Sequence, residues 1–254
     1  MTDEHANQRS GKASATLSGA VFDDLYQGRG LAYGDGGARI DVIPWQLDGP
    51  QPLIVEVEEA GEITDPVLEC GCGLGENALY LARRGHQVTA FDAAATAIEQ
   101  DRAKASSEGI AVTFVVADAT TLTGLPGGFR TVIDSAMLHC LTDEQRLAYL
   151  AALRNVCEPG ARIHVLCFPE ETAGTFPMPG SLDEASLRRA FANDWHIERM
   201  QRRRYTSNMT RDQWREQVPA ELVSGILPAH DDPEGIDSQG RVLMPIWQIT
   251  AQLT

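Results

Sequence analysis

Between Pro66 and Phe168 the chain alternates short apolar runs with longer amphipathic ones, and few folds accept that rhythm. "PVLEC" (66–70) reads as a strand. "ENALYLARRG" (76–85) reads as a helix, apolar at Ala78, Leu79 and Ala82 and closed by Gly85. "QVTAFD" is a second strand, and the helix after it ends at Gly109. "AVTFVVAD" is a third strand, dense in β-branched residues, and "RTVIDSAML" is a fourth. Thr142 and Gln145 have capping-box spacing and open a third helix, whose inner face is expected to carry Leu147, Leu150 and Ala151. "EPG" (158–160) is expected to end that helix before the fifth strand, "ARIHVLCF". Alternating strands and helices predict an α/β fold, a parallel sheet covered on both faces. Right-handed crossovers then put a ligand beyond the carboxyl ends of the strands, where the strand order reverses.

After Phe168 the rhythm changes. "PEETAGTFPMPG" is rich in Pro and Gly, and Ser181 with Glu184 forms a second capping-box pattern before a helix. "WHIERMQRRRY" and "RVLMPIWQITAQL" alternate as strands, with a connection of nearly forty residues starting at Thr206. The basic run Arg199–Tyr205 is expected to be a solvated face that protects a sheet edge. Residues 1–20 lack an apolar core and read as a disordered tail rather than a secretory signal. The remainder, 21–254, is expected to be a single domain.

Charge and cysteine usage exclude several functions. Asp and Glu number 36 against 21 Lys and Arg, a formal charge of -15. Such a field opposes nucleic acid and anionic membrane surfaces, and no segment is long and apolar enough to span a bilayer. The expected setting is cytoplasmic, with a small molecule as partner. The five cysteines are odd in number and show no C-x-x-C spacing, so buried thiols are expected rather than disulfides or a metal site.

The chemistry is expected in "VLECGCGLGENAL" (67–79). Gly71, Gly73 and Gly75 follow a strand and precede a helix. Glu76 occupies the position of the last glycine in G-x-G-x-x-G. A plain tight corner can look the same. The acids narrow the choice. Glu69 closes the first strand, Asp92 the second and Asp118 the third. A carboxylate at Glu69 would repel a pyrophosphate and attract an ammonium group. One at Asp92 suits ribose hydroxyls. Each acid alone could be a helix cap. Together they fit a ligand with an amino-acid end, a ribose and an adenine but no phosphates, which is S-adenosylmethionine.

On these residues the chain resembles the class I S-adenosylmethionine-dependent methyltransferases. The resemblance covers about residues 64–168: "VLECGCGLGENALYLARRGHQVTAFDAAATAIEQ", "VVADATTL", "IDSAMLHCL" and "EPGARIHVLCF". It implies a Rossmann-like, seven-stranded, mostly parallel sheet ending in an antiparallel hairpin. It implies a lid at 21–63, a cofactor-binding core at 64–168 and an acceptor-side insertion with the hairpin at 169–254. By the same resemblance Glu69 and the turn of Gly71, Gly73 and Gly75 would hold the methionine part, Asp92 the ribose, and Asp118 and Ala119 the adenine. Asn77 and Ala93 would be further cofactor contacts. Ser135 would lie near the sulfonium, and no metal is implied.

"FDDLYQG" and "IPWQLDGPQP" resemble the lid of small-molecule methyltransferases of the thiopurine, tellurite-resistance and halide-methylating type. That implies a cofactor contact for Trp45, although a Trp beside a Pro also serves as core packing. Tyr26 and Tyr33 are the aromatic candidates on the acceptor side. "GCGLGENAL" with "PWQLDGPQP" is also similar to actinobacterial heterocyclic toxin methyltransferases, which implies O-methylation of a hydroxyquinolone or phenol in detoxification. His139, just past the fourth strand, is the candidate general base, or else a residue that only shapes the acceptor pocket. Sulfur, halide and tellurite acceptors remain alternatives, as do a nicotinamide-dependent oxidoreductase and a non-catalytic cofactor-binding protein.

Overall fold

The computed structural model describes residues 19–33, 38–40, 42–172, 182–218, 227–229 and 232–254. Helix α1 (Gly19–Tyr26) is followed by the strands β1 (Leu31–Tyr33) and β2 (Ala38–Ile40), which pair with each other, and by α2 (Pro52–Glu59). The central rhythm is β3 (Val67–Cys70), α3 (Glu76–Arg83), β4 (Val88–Asp92), α4 (Ala95–Glu108), β5 (Val112–Val116), β6 (Phe129–Ser135), α5 (Asp143–Val156) and β7 (Cys157–Cys167). Then come α6 (Glu184–Phe191), β8 (Trp195–Thr210), α7 (Arg211–Gln217) and β9 (Arg241–Leu253).

Seven strands form one sheet in the order β5-β4-β3-β6-β7-β9-β8. The five strands from β5 to β7 run parallel, and β9 is antiparallel to both β7 and β8. The strand order reverses at β3, whose neighbours are β4 and β6. Register places Cys70 level with Phe91 and Asp134. Asp92 and Ser135 therefore stand one residue beyond that line, and Glu69 one residue before it. The three side chains share one edge of the sheet.

Alternation along each strand feeds two cores. Val67, Val88, Ala90 and Ile133 pack with Ile54, Leu79 and Ile98 from α2, α3 and α4. Their neighbours Leu68, Phe91 and Val132 pack on the other face with Leu153 from α5 and Phe191 from α6. Fully burying side chains of this size is worth about 1.5–3 kcal/mol each.

Several local expectations are corrected. Leu147 and Ala151 are exposed; α5 buries Arg146, Tyr149, Leu150, Ala152 and Leu153 instead. The Thr142–Gln145 capping box is present in both directions. The helix ends at Val156, so "EPG" belongs to β7, which pairs from Cys157 across an irregular register with β6. The fourth predicted strand stops at Ser135, because Ala136 adopts a left-handed φ of 77°. Asp183 caps α6 through the Ser186 amide at 2.5 Å, while Ser181 lies outside the described residues. β8 runs to Thr210 and passes directly into α7, so the long connection begins later and carries a helix. Residues 1–18 of the expected tail lie outside the described residues, and Gly19 and Ala20 already belong to α1.

The basic run does lie on β8, at the sheet edge. Its arginines are not simply solvated: Arg199 pairs with Glu62, Arg203 with Glu56 and Arg204 with Asp232, and Arg202 stacks 3.9 Å over the Trp247 ring. The five cysteines are all free thiols, three of them buried. Among the described residues, no helix is long and apolar enough to cross a membrane.

Candidate active site

A cavity of about 630 Å³ opens at the carboxyl ends of β3, β4, β5 and β6. Glu69, Gly71, Gly73, Asn77, Asp92, Ala93, Asp118, Ala119, Ser135 and His139 line it, with Tyr26 and Trp45 from the N-terminal segment. Gly75 lies beneath the turn, against Asp101 and Phe114. Tyr33 ends β1, and its side chain falls outside the described residues.

The glycine turn needs its glycines. Gly71, Gly73 and Gly75 have φ of 62°, 55° and 67°. A Cβ on Gly71 would meet Met137 at 2.8 Å, and one on Gly73 would meet the Tyr26 hydroxyl at 2.8 Å. The turn is held from the next strand, where Asp92 Oδ2 accepts from the Gly73 amide at 2.9 Å and Oδ1 from Ala94 at 2.8 Å. Asp92 thus acts on the turn and on the start of α4 at once. Burial raises its carboxyl above the usual range, and the amides of Ala94, Gly73 and Ala93 pull it back.

Glu69 is 1% exposed. Asn77 Nδ2 donates to its Oε1 at 2.9 Å, while Oε2 makes no hydrogen bond. Burial pushes the carboxyl up to about 8, against the opposing pull of Asn77 and the Ala78 amide. A buried acid with a spare oxygen on a cavity wall suits a cationic ligand group, which would restore its ionised form. Asp118 is exposed, and its Oδ1 accepts from the Thr120 amide and hydroxyl at 2.8 and 2.7 Å.

His139, also on the cavity wall, lies in the short 3₁₀ turn Leu138–Cys140. It is buried, with Nδ1 unpartnered, and its ring meets Phe168 edge-on at 4.9 Å. Phe168 in turn meets Tyr205 edge-on at 5.4 Å. Burial, with Arg146 nearby, pushes His139 down to about 3, so it is neutral at physiological pH. Burial raises the Tyr205 phenol, which stays protonated beside Ser135 and Gln51. The Cys140 thiol is pushed up to about 12 by burial and is no nucleophile.

Trp45 Nε1 donates to the Tyr26 hydroxyl at 3.2 Å, and Phe22 packs edge-on against Trp45 at 5.9 Å. Tyr26 thereby sits over Gly73, on the same side as Asp92. Gln51 ties the segment to the core: its amide donates to Asn77 Oδ1 at 2.8 Å, and its side chain donates to the Thr206 carbonyl at 3.0 Å. Sequence reasoning missed Gln51, Met137, Phe168 and Tyr205, all on the cavity wall. It also missed Asp101, a buried acid with Oδ2 3.6 Å from Cys72 Sγ that burial pushes up to about 8. No group of three or more His, Cys, Asp or Glu side chains is placed to hold a metal ion among the described residues.

A mostly parallel sheet with a terminal antiparallel hairpin, a left-handed glycine turn and acids near the strand ends gather at one cavity at the switch point, the architecture of a nucleotide-type ligand-binding α/β enzyme. Comparison with known proteins narrows the class. A methyltransferase-domain model matches residues 67–160. The 2-heptyl-1-hydroxyquinolin-4(1H)-one methyltransferase of Mycobacteroides abscessus is 37% identical over 161 residues, covering 61% of this chain and 69% of that one. A structure solved in a study of the conversion of a disulfide bond into a thioacetal group during echinomycin biosynthesis is 30% identical, with a TM-score of 0.69 and 93% of each chain covered. TehB from Haemophilus influenzae shares the fold at 17% identity and a TM-score of 0.56, over 79% of this chain and 62% of that one. The chain belongs to the S-adenosylmethionine-dependent methyltransferases, of the class I, small-molecule type. The oxidoreductase and non-catalytic alternatives are set aside accordingly.

Proposed function

We propose that this enzyme methylates the oxygen of a small aromatic heterocycle, such as the hydroxyl of a hydroxyquinolone. The observation that carries the proposal is the 37% identity to a hydroxyquinolone methyltransferase. The row of His139, Phe168 and Tyr205 rings along the cavity supports it, since a flat ring packs well against such a wall.

In this reading Glu69, oriented by Asn77, holds the ammonium end of the cofactor under the Gly71–Gly75 turn. Asp92 and Ala93 take the ribose. Asp118, through the oxygen not engaged with Thr120, and Ala119 take the adenine. Trp45 and Tyr26 cover the cofactor from the N-terminal segment. When bound, S-adenosylmethionine supplies a methyl carbon already activated by its sulfonium.

The chain's main task is then alignment, an effect worth up to roughly 7–11 kcal/mol. Ser135 and Tyr205 offer hydroxyls to the acceptor, and neutral His139 offers a hydrogen-bond partner at its oxygen. With its low basicity, His139 orients a hydroxyl better than it removes a proton from one. A sulfur acceptor is the second reading, favoured by the neighbour studied for thioacetal formation from a disulfide. An acceptor panel of hydroxyquinolones, phenols, thiols and halides, with methylated product followed by mass spectrometry, separates the two. Turnover of hydroxyquinolones above all others is expected; turnover of thiols alone would replace this reading with the second.

A further inference from the structure

Asp134 is fully buried at the end of β6, one residue before Ser135, and it does not line the cavity. Its Oδ1 accepts from the Met137 amide at 2.9 Å and from the Leu138 amide at 3.1 Å. Those bonds close the reversal that Ala136 makes in its left-handed conformation, and they lead the chain straight into the turn bearing His139. Met137 fills the space where Gly71 has no Cβ. One carboxylate therefore braces two walls: the cofactor turn through Met137, and the aromatic row through His139 and Phe168.

We propose that Asp134 is a positioning residue for methyl transfer, holding the Met137–His139 turn by two main-chain hydrogen bonds that are firm only while its carboxylate is ionised. A charge-assisted bond to an amide is about twice as strong as a neutral one, so protonation loosens the turn without unfolding it. The inference rests on the reading that the His139 wall faces the acceptor.

The groups packed around Asp134 leave it as the titrating member. From β3 comes the Cys70 thiol, from α5 the Tyr149 phenol, from the turn itself Cys140 and from β7 Cys167. Burial raises all four, so they are neutral near pH 7. Arg146 on α5 is the nearby cation, and it acts on His139 and Cys167. Burial also lifts Asp134 itself to about 6, with the Met137 and Leu138 amides and Tyr149 pulling it down.

The test compares Asp134→Ala and Asp134→Asn with the parent enzyme. Asp134→Ala is expected to lower kcat roughly 10- to 100-fold, with KM changing far less, as a small misplacement of reacting groups does. Asp134→Asn keeps an oxygen for both amides but cannot ionise. It stands in for the protonated carboxyl, so it is expected to turn over faster than Asp134→Ala yet stay at the reduced level expected of the parent below about pH 6, with no further fall in kcat there. Hydrogen exchange at the Met137 and Leu138 amides gives a readout that needs no acceptor: protection should weaken below about pH 6 in the parent and not in Asp134→Asn. A folded Asp134→Ala enzyme with parental kcat would overturn the assignment. So would an Asp134→Asn variant with the parental pH profile of exchange. Coupled exchange without turnover of any hydroxyquinolone would support the assignment and overturn the acceptor reading alone.

Discussion

The Asn77 side chain donates to Glu69 Oε1 at 2.9 Å, and its own oxygen accepts from the Gln51 amide at 2.8 Å. One amide thus fixes the carboxyl under the glycine turn and pins the segment that leads from Trp45 into α2. Glu69 lines the cavity, and its second oxygen is left without a hydrogen-bond partner. Cofactor recognition and placement of the N-terminal segment share this side chain.

Cofactor binding should therefore release a proton. Without cofactor, Glu69 is held up at about 8 by burial and is mostly protonated at pH 7. An adjacent ammonium favours the ionised form, so binding lowers that value. Affinity for S-adenosylhomocysteine is expected to rise with pH and to level off above about pH 8. Calorimetry at pH 7 in buffers of different ionisation enthalpy should report net proton release; net uptake would contradict this.

Glu69→Gln should weaken binding and yet not destabilise the cofactor-free fold. Losing a charged hydrogen-bond partner costs about 1.5–3 kcal/mol, roughly a 10- to 150-fold weaker Kd. The folded value lies above the unfolded one, 4.5, so the cofactor-free fold retains a proton that the unfolded chain releases. That contribution is fully present below about pH 4.5 and is lost as pH rises towards 8. The Tm of Glu69→Gln should match the parent near pH 4.5 and exceed it at pH 8. A lower Tm at pH 8 would sink the argument.

The glycine turn gives a pair of contrasting variants. Gly71→Ala meets both a left-handed φ of 62° and Met137 at 2.8 Å. Gly109→Ala, at the end of α4, has the same handedness, φ 67°, but open space around it. Gly109→Ala should cost about 1–2 kcal/mol in urea unfolding, the strain alone. Gly71→Ala should cost more and also weaken cofactor binding. Equal costs would mean that Met137 yields easily.

Turnover should depend steeply on acceptor acidity. His139, pushed down to about 3, cannot hold a proton taken from an ordinary phenol. Ionising a hydroxyl of pKa about 10 at pH 7 costs about 4 kcal/mol, and little in the cavity offsets it. In a series of ring hydroxyls of falling pKa, kcat/KM is expected to climb, and His139 should contribute no limb near pH 6.5. A phenol turned over as fast as an acidic N-hydroxyl would restore His139 as a general base.

The parts legible in the sequence were those with local causes. Short apolar runs between amphipathic stretches marked β3 to β7, and glycines marked the turn because their left-handed angles exclude most other residues. Glu69, Asp92 and Asp118 could be read from position alone, since strand ends at a switch point face one cavity. What escaped had non-local causes. Tyr205 reaches the site because β8 pairs with β9 and returns across the sheet, and Gln51 because Asn77 and Thr206 draw it in. Neither carries a motif. Leu147 looked like a core residue by type, yet the rotation of α5 gives the interior to Tyr149 and Leu153.

The most direct test gives the purified enzyme S-adenosylmethionine labelled with ¹³C in the methyl group, together with 2-heptyl-1-hydroxyquinolin-4(1H)-one. The account predicts a single labelled product whose methyl carbon resonates as an O-methyl group. A label on carbon, or no transfer despite tight S-adenosylhomocysteine binding, would contradict it.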